Sequence, residues 1–280
     1  MTLLAVAEAG RGVLEPDAPV LHADDEGVLR GRAVFETIRV YGGRPFRLDA
    51  HLDRLAASAA RLGLPPVDRD PLALAVEEAL AASGEPDAVL RLLWTPGREG
   101  QGPPTGLALV STLPPGHEAQ RRHGIRLAVV PWAPGALIAG AKSTSYAENI
   151  AAQDEAARRD ADDALFVGPD GIVLEAPTSN VWWREDRRLL TPSLELPILA
   201  GVTRAALLEF VHDLGYGVEE GRFPLTRLLA AHEVFLTSSI REVMPVVAVD
   251  GQRIGDGVPG QAAESLQRAL RAAAGYPAET

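Results

Sequence analysis

GRAVFETIRVYGGRPFRLDAHLDRL, residues 31–55, changes its period within one short stretch. Up to Tyr41 it carries the β-branched Val34, Ile38 and Val40, and Gly42-Gly43 then offers a tight turn before RPFRL. That part reads as two strands joined as a hairpin. From Leu48 the spacing becomes helical. Leu48, Leu52, Leu55, Ala59 and Leu62 recur at three- and four-residue intervals, and Gly63 with Pro65 closes the run, so an amphipathic helix is predicted.

Strands and helices continue outward from this stretch. DPLALAVEEALAAS (70–83) reads as a second helix ended by Gly84, and AVLRLLW (88–94) and GLALVST (106–112) as strands around the Gly/Pro-rich loop 95–105. TLPPGHEAQRRHG (112–124) combines turn residues with charge and reads as a boundary, dividing the chain into a smaller N-terminal α/β domain, 1–115, and a larger C-terminal domain, 116–280. Beyond it, IRLAVVPW (125–132) reads as a strand and SYAENIAAQDEAARR (145–159) as a helix. ALFVGPDGIVLE (164–175) reads as a hairpin over Gly168-Pro169-Asp170-Gly171. VTRAALLEFVHDLG (202–215) and GQAAESLQRALRAAAG (260–275) read as helices, with EVFLTSS and MPVVAVDG as late strands. Mixed elements in two blocks fit an α/β or α+β enzyme better than a bundle or a sandwich.

Composition narrows the function classes. The 280 residues are 46% hydrophobic and carry 27 basic against 38 acidic side chains, a formal charge of −11. An acidic balance disfavours a nucleic-acid partner, since phosphate backbones need basic stripes. No apolar run reaches the length of about 18 residues that a membrane span needs. The opening MTLLAVAEAGRGVLEPD lacks the basic n-region and long apolar core of a secretory signal, so a cytoplasmic protein is expected. Without cysteine there is no disulfide framework, thiolate metal site or thiol nucleophile. The six histidines show no metal-ligand spacing, and none of them is assigned to a metal; His51 and His212 read as packing or surface residues on helices.

Of the 27 basic residues, 26 are arginine and one is lysine, Lys142. A coding bias toward arginine accounts for the scarcity of lysine. A lysine kept in such a background also suits a task that guanidinium cannot perform, an amine that loses its proton and forms a Schiff base. Lys142 lies just ahead of a predicted helix, among small residues that leave room around its amine.

Five segments in order, GRAVFETIRVYGGRPFRLDAHLDRL, AKSTSYAENIAA, LEAPTSNVWW, LPILAGVTRAALLE and EVFLTSSIREVMPV, resemble the successive signatures of the class IV (fold-type IV) pyridoxal-phosphate-dependent aminotransferases. That family includes D-amino-acid transaminases, aminodeoxychorismate lyases and branched-chain aminotransferases. The resemblance runs from about residue 20 to residue 250. It implies the two-domain fold-type IV architecture, pyridoxal 5′-phosphate in the interdomain crevice, and a homodimer.

Residue by residue, the resemblance makes Lys142 the catalytic lysine that carries the cofactor as a Schiff base and moves the proton between Cα and C4′. Glu175 matches the carboxylate that faces the pyridine nitrogen, and Asn180 orders the same turn. Arg54 matches the phosphate arginine. Val202 and Thr203 open a helix after Gly201, where N–H groups can point at an anion, and Ser239, with Ser238 as a weaker candidate, completes the phosphate cup.

Substrate must be argued from the pocket. Arg30 and Arg32 stand where many members read G-D-G, and on an extended segment they would project to one side, where a guanidinium fork can hold a carboxylate. Arg98 follows Thr95-Pro96-Gly97, displaced by two positions from the family's S/T-R-G turn. Tyr146 stands four residues after the lysine, where branched-chain enzymes place a tyrosine at five, and is read as pocket lining; Ile240 is assigned to the same pocket. Thr37 after Phe35-Glu36 departs from the branched-chain FEGIR. The expectation is a transaminase acting on D-amino acids and 2-oxo acids. The alternatives are aminodeoxychorismate lyase, an L-branched-chain or (R)-amine transaminase, and a cofactor-binding protein without turnover.

Overall fold

The computed structural model describes residues 1–98, 102–133, 135 and 137–276; Glu99 to Gln101 of the Gly/Pro-rich loop lie outside the described residues. The chain divides into two compact units, Met1–Pro115 with Gly140–Tyr146, and Gly116–Ala139 with Ala147–Thr280. Residues 140–146, which the sequence reading put in the C-terminal domain, therefore pack with the first unit.

The first unit contains β1 (Leu3–Glu8), β2 (Gly12–Leu14), α1 (Glu26–Arg30), β3 (Val34–Tyr41), β4 (Arg44–Pro45), α2 (Leu48–Arg61), α3 (Arg69–Ser83), β5 (Ala88–Thr95) and β6 (Thr105–Thr112). Its six strands form one antiparallel sheet in the order β2-β1-β6-β5-β3-β4. The predicted hairpin is present, with Val40 opposite Pro45 and Tyr41 opposite Arg44. Gly42 and Gly43 both take positive φ, 54° and 78°, as a two-residue turn matched to strand twist requires. Val34, Ile38 and Val40 join Leu90, Leu92 and Trp94 of β5 in a core covered by Leu52, Leu55 and Ala59 of α2 and Leu72, Ala75, Val76 and Ala79 of α3. Each large side chain in it contributes about 1.5–3 kcal/mol by leaving water.

The second unit contains α4 (His117–His123), β7 (Ile125–Pro131), α5 (Ala147–Arg158), β8 (Asp163–Val167), β9 (Asn180–Glu185), β10 (Arg188–Pro192), α6 (Val202–Phe210), β11 (Gly217–Gly221), α7 (Leu225–Leu229), β12 (Glu233–Ser238), β13 (Glu242–Val249), β14 (Gln252–Arg253) and α8 (Gln261–Ala273). Its mixed sheet runs β11-β10-β9-β12-β13-β7-β8, with β14 on β13. Trp182 and Trp183 of β9 point to opposite faces and are both fully buried, so this strand is covered on both sides. Trp183 meets Phe223 edge-on at 5.1 Å, and Trp182 stacks with Phe235 at 6.3 Å.

Two readings change here. The stretch expected as a plain boundary forms α4, and the helix expected to run to Gly215 ends at Phe210, followed by turns. No helix among the described residues is long and apolar enough to cross a membrane.

Candidate active site

β3 supplies two faces with different work. Val34, Glu36, Ile38 and Val40 share one side of the strand and Phe35 the other. A carboxylate on the apolar side is costly unless it is paired. Glu36, at 0% exposure, is met by α2: Arg54 donates from Nε at 2.8 Å and from Nη2 at 2.6 Å, one to each oxygen, and His51 Nδ1 lies 2.7 Å away. Burial raises the Glu36 carboxyl, but the hydrogen bonds from Arg54 and His51 overcome it and hold the pKa at about 2. With Glu36 ionised, His51 donates from Nδ1. Burial, the largest influence on its ring, lowers its pKa despite Glu36 and keeps the imidazole neutral.

Lys142 lies against the same strand. Its carbonyl accepts from the Phe35 N–H at 3.0 Å, its own N–H donates to Ser58 Oγ of α2 at 3.1 Å, and Val34 bridges to Ser143. The amine sits 4.3 Å from the centre of the Phe35 ring and 5.8 Å from that of Tyr146, and the two rings meet edge-on at 5.3 Å. Thr144 and Ser145 hydroxyls both donate to the Gly31 carbonyl at 3.0 Å. Gly31 has φ 63°, which glycine takes without strain, and a Cβ there would stand 2.9 Å from Ser145 Oγ and push that hydroxyl aside. Arg54, Lys142 and Tyr146 thus gather around Phe35-Glu36.

In the second unit Glu175 precedes β9. Its carboxylate accepts from the Leu199 N–H at 3.1 and 3.2 Å and from Asn180 Nδ2 at 3.2 Å, while Asn180 Nδ2 also donates to the Leu199 carbonyl at 2.9 Å. Asn180 Oδ1 occupies the space a Cβ on Gly201 would need, 2.0 Å from its ideal position, so only glycine fits ahead of α6. Gly201 caps α6 without a side-chain hydrogen bond, leaving the first-turn N–H groups to other acceptors, and Val202 and Thr203 are buried there. Ser179 Oγ is also buried and meets no hydrogen-bond partner among the described residues. Asn180 pairs with Thr237 of β12, so Ser238, the last residue of β12, and the Ser239-Ile240 turn that follows continue from the strand beside it.

The arginines expected at the substrate end are placed differently. Arg30 and Arg32 do not alternate along a strand: Arg30 is the last residue of α1, and the left-handed Gly31 follows it. Arg32 donates from Nη1 to Glu26 at 2.7 Å and from Nη2 to the Gly63 carbonyl at 2.8 Å. Arg98 Nε lies 2.9 Å from both oxygens of Asp24, with Nη2 at 2.8 Å. Neighbouring Asp25 caps α1 at the Gly27 N–H and accepts from Thr95 Oγ1, so the run 24–26 ties down all of these loops.

A family model described as amino-transferase class IV matches residues 33–249. The chain belongs to that family. A bifunctional aminodeoxychorismate lyase / D-amino acid transaminase from Mycobacterium tuberculosis is 37% identical over 264 residues, 86% of this chain and 90% of that protein. An aminodeoxychorismate lyase from Bacillus subtilis is 33% identical over 268 residues, 92% of this chain and 90% of its own length. Among solved structures, a hypothetical aminotransferase from Mycobacterium tuberculosis, in its alpha-ketoglutarate and PMP bound form, matches with a TM-score of 0.90 at 36% identity, over 96% of this chain and 98% of the other.

This class IV aminotransferase therefore has the mixed α/β, two-sheet fold that the ordered motifs implied. The sequence reading of the class IV aminotransferase passed over Glu36 as an interaction partner and took His51 for a packing or surface residue. The available signal was positional. His51, Arg54 and Ser58 follow one another at helical spacing on α2, and a polar stripe beside an apolar one needs a polar counterpart.

Proposed function

We propose that the enzyme is a pyridoxal-phosphate-dependent transaminase that moves an amino group between a D-amino acid and a 2-oxo acid. The observation that carries this is Lys142, the single lysine of the chain, with its backbone fixed at both ends and its amine against the Phe35 and Tyr146 rings. The donor set fits the cofactor. An amine with small neighbours, a carboxylate aligned by amides, a helix N-terminus without a side-chain cap and a buried serine hydroxyl without a partner among the described residues match its aldehyde, ring nitrogen, phosphate and polar edge.

Pyridoxal phosphate supplies an electron-poor ring that draws charge from the substrate Cα. Lys142 holds the group through its amine and moves the proton between Cα and C4′. Glu175, oriented by Leu199 and Asn180, faces the ring nitrogen and favours its protonated form. Arg54, Val202, Thr203, Ser238 and Ser239 hold the phosphate, with Arg54 oriented by its fork on Glu36. Tyr146 and Ile240 line the substrate pocket, and Arg30 binds the substrate carboxylate. The D-amino-acid preference is supported by Thr37 in place of the branched-chain glycine and by the transaminase name of the Mycobacterium tuberculosis relative. The same reading carries a homodimer and a cytoplasmic place of action, the first checked by sedimentation.

A second reading, favoured by the names of both relatives, is aminodeoxychorismate lyase, which releases pyruvate and 4-aminobenzoate. A panel of half-reactions separates the two, with D- and L-amino acids and aminodeoxychorismate followed by the cofactor's absorption. D-alanine and D-glutamate are expected to react fastest; aminodeoxychorismate turned over far faster than any D-amino acid overturns the transaminase reading. Lys142→Ala is expected to bind cofactor noncovalently and to lose about 10²–10⁴-fold in turnover. Borohydride reduction of the parent followed by peptide mapping should find the adduct on Lys142, and an adduct elsewhere removes that assignment.

A further inference from the structure

β12 and β13 are joined by Ser239-Ile240-Arg241, and Glu242, which opens β13, has φ 56°. A side chain in this left-handed region is strained by its Cβ against the following carbonyl, and a turn on the surface would use Gly or Asn. Glu242 is instead 3% exposed, and its carboxylate is gripped from two helices. Arg121 of α4 donates to it from Nη2 at 2.9 Å. Arg271 of α8 donates from Nη2 at 2.8 Å and from Nε at 3.2 Å, and Gln267 donates from Nε2 at 2.7 Å.

The same groups hold the backbone around the turn. Arg121 Nη2 donates to the Arg241 carbonyl at 3.0 Å, and Gln267 Oε1 accepts from the Val243 N–H at 2.9 Å. On the far flank Arg241 pairs at 2.5 Å with Asp163, a fully buried acid that opens β8, and its N–H donates to Ser238 Oγ at 3.3 Å. Burial alone would lower the Arg271 pKa; Glu242, with Glu118, raises it and keeps the guanidinium charged.

A buried charge cluster of this kind is a poor stabiliser, because apolar packing of the same volume does as well or better. What it does well is forbid alternatives, since any other turn conformation strands a carboxylate between two arginines. A strained residue persists only where its surroundings over-determine it, and such residues gather at sites that need a fixed geometry. We infer that Glu242 is a positioning residue, clamped by Arg121, Gln267 and Arg271 so that the turn presents Ser238 and Ser239 to the cofactor phosphate. This rests on the assignment of those serines proposed above.

The test uses the full chain freed of cofactor, titrated with pyridoxal phosphate and with pyridoxal, which lacks the phosphate, and read by tryptophan quenching. The ratio of the two Kd values measures what the phosphate contributes. Glu242→Gln keeps the size of the side chain and removes its charge. It is expected to raise the Kd for pyridoxal phosphate roughly tenfold or more while moving that for pyridoxal less than about twofold. Equal weakening of both ligands signals general damage and overturns the inference, as does an unchanged ratio. If the parent itself shows no preference for pyridoxal phosphate, the phosphate assignment fails first and the inference falls with it. Should Glu242→Gln not fold, Arg271→Lys keeps the charge and loses the fork; its ratio must also shrink, and an unchanged one overturns the proposal.

Discussion

Glu36 on β3 lies at zero exposure with a guanidinium bonded to both of its oxygens and an imidazole bonded to one. Glu175, ahead of β9, accepts from the Leu199 backbone amide and the Asn180 side-chain amide. The first arrangement compensates the charge, and the carboxyl pKa falls to about 2 although burial alone would raise it. The second sets the direction of a carboxylate with two amide donors, one from the backbone and one from a side chain. A carboxylate buried under a guanidinium fork suits a structural role, whereas one aimed by amides has a fixed direction in which a ligand group can meet it. Each acid is followed closely by a Thr in the sequence, and their difference lies in what the fold brings to them.

The largest effect expected from this contrast is on stability. Glu36→Ala leaves Arg54 without its buried counter-ion and should destabilise the chain by about 3–5 kcal/mol, measured by urea unfolding. A loss below about 1 kcal/mol would mean that the pair is replaceable and the contrast with Glu175 is wrong. Acid should act in the same direction. Between the carboxyl's ordinary value of 4.5 and its folded value of about 2 the unfolded chain takes up the proton first. This contribution is therefore complete above the unfolded pKa and is lost as the pH falls through the folded one. His51, with its pKa lowered by burial, works likewise: its contribution weakens as the pH drops below the ordinary imidazole value of 6.5. Unfolding midpoints from pH 7 to 3 should decline in the parent, and the part due to Glu36 should be missing from Glu36→Gln.

Glu175→Gln should reverse the pattern. Amide donors can hold a glutamine carbonyl, so the unfolding midpoint should hardly move. Turnover should drop about 10–100-fold if, as proposed, its charge faces the ring nitrogen. Cofactor affinity should change little. Single-turnover kinetics beside a cofactor titration decide it, and an unaltered rate would assign the ring nitrogen to another group.

The difference between the two acids also marks what could be read in the sequence. Local periodicity was enough for the β3–β4 hairpin and the α2 stripe, because each is decided by neighbours a few residues apart. α1 and α4 escaped because they are five and seven residues long with no buried side chain, so no apolar rhythm announces them. Glu36 and Arg54 stand 18 residues apart, and Glu242 and Arg271 29 apart. Pairings at such distances depend on how strands and helices pack, which one sequence does not spell out. The ordered motifs named Lys142, Arg54 and Glu175, but not the groups that hold each in place.

The arginines give the smallest expected effects and ask whether an acid-paired guanidinium can also serve a substrate. Arg32 already donates to Glu26 and to the Gly63 carbonyl, and Arg98 lies in a half-exposed fork with Asp24. A substrate carboxylate would have to displace an existing acid from either one, losing about as much as it gains. Arg30 stands beside Gly31, whose carbonyl accepts from Thr144 and Ser145 just past Lys142, and this position makes it the arginine proposed for the carboxylate. Arg30→Ala should therefore lower half-reaction efficiency with D-glutamate or D-alanine about tenfold, or 1.4 kcal/mol, and affect uncharged amines much less. Arg32→Ala should cost about 0.2–1 kcal/mol of stability, as exposed pairs do, and should slow charged and uncharged substrates alike. Arg98→Ala should leave both the unfolding midpoint and the ratio of D-alanine to uncharged amine unchanged. A selective loss of amino-acid substrates in Arg98→Ala or Arg32→Ala, with Arg30→Ala normal, would show that an acid-paired arginine can be handed to a substrate. The Asp24 or Glu26 carboxylate would then be a placeholder for the ligand rather than a fixed structural partner.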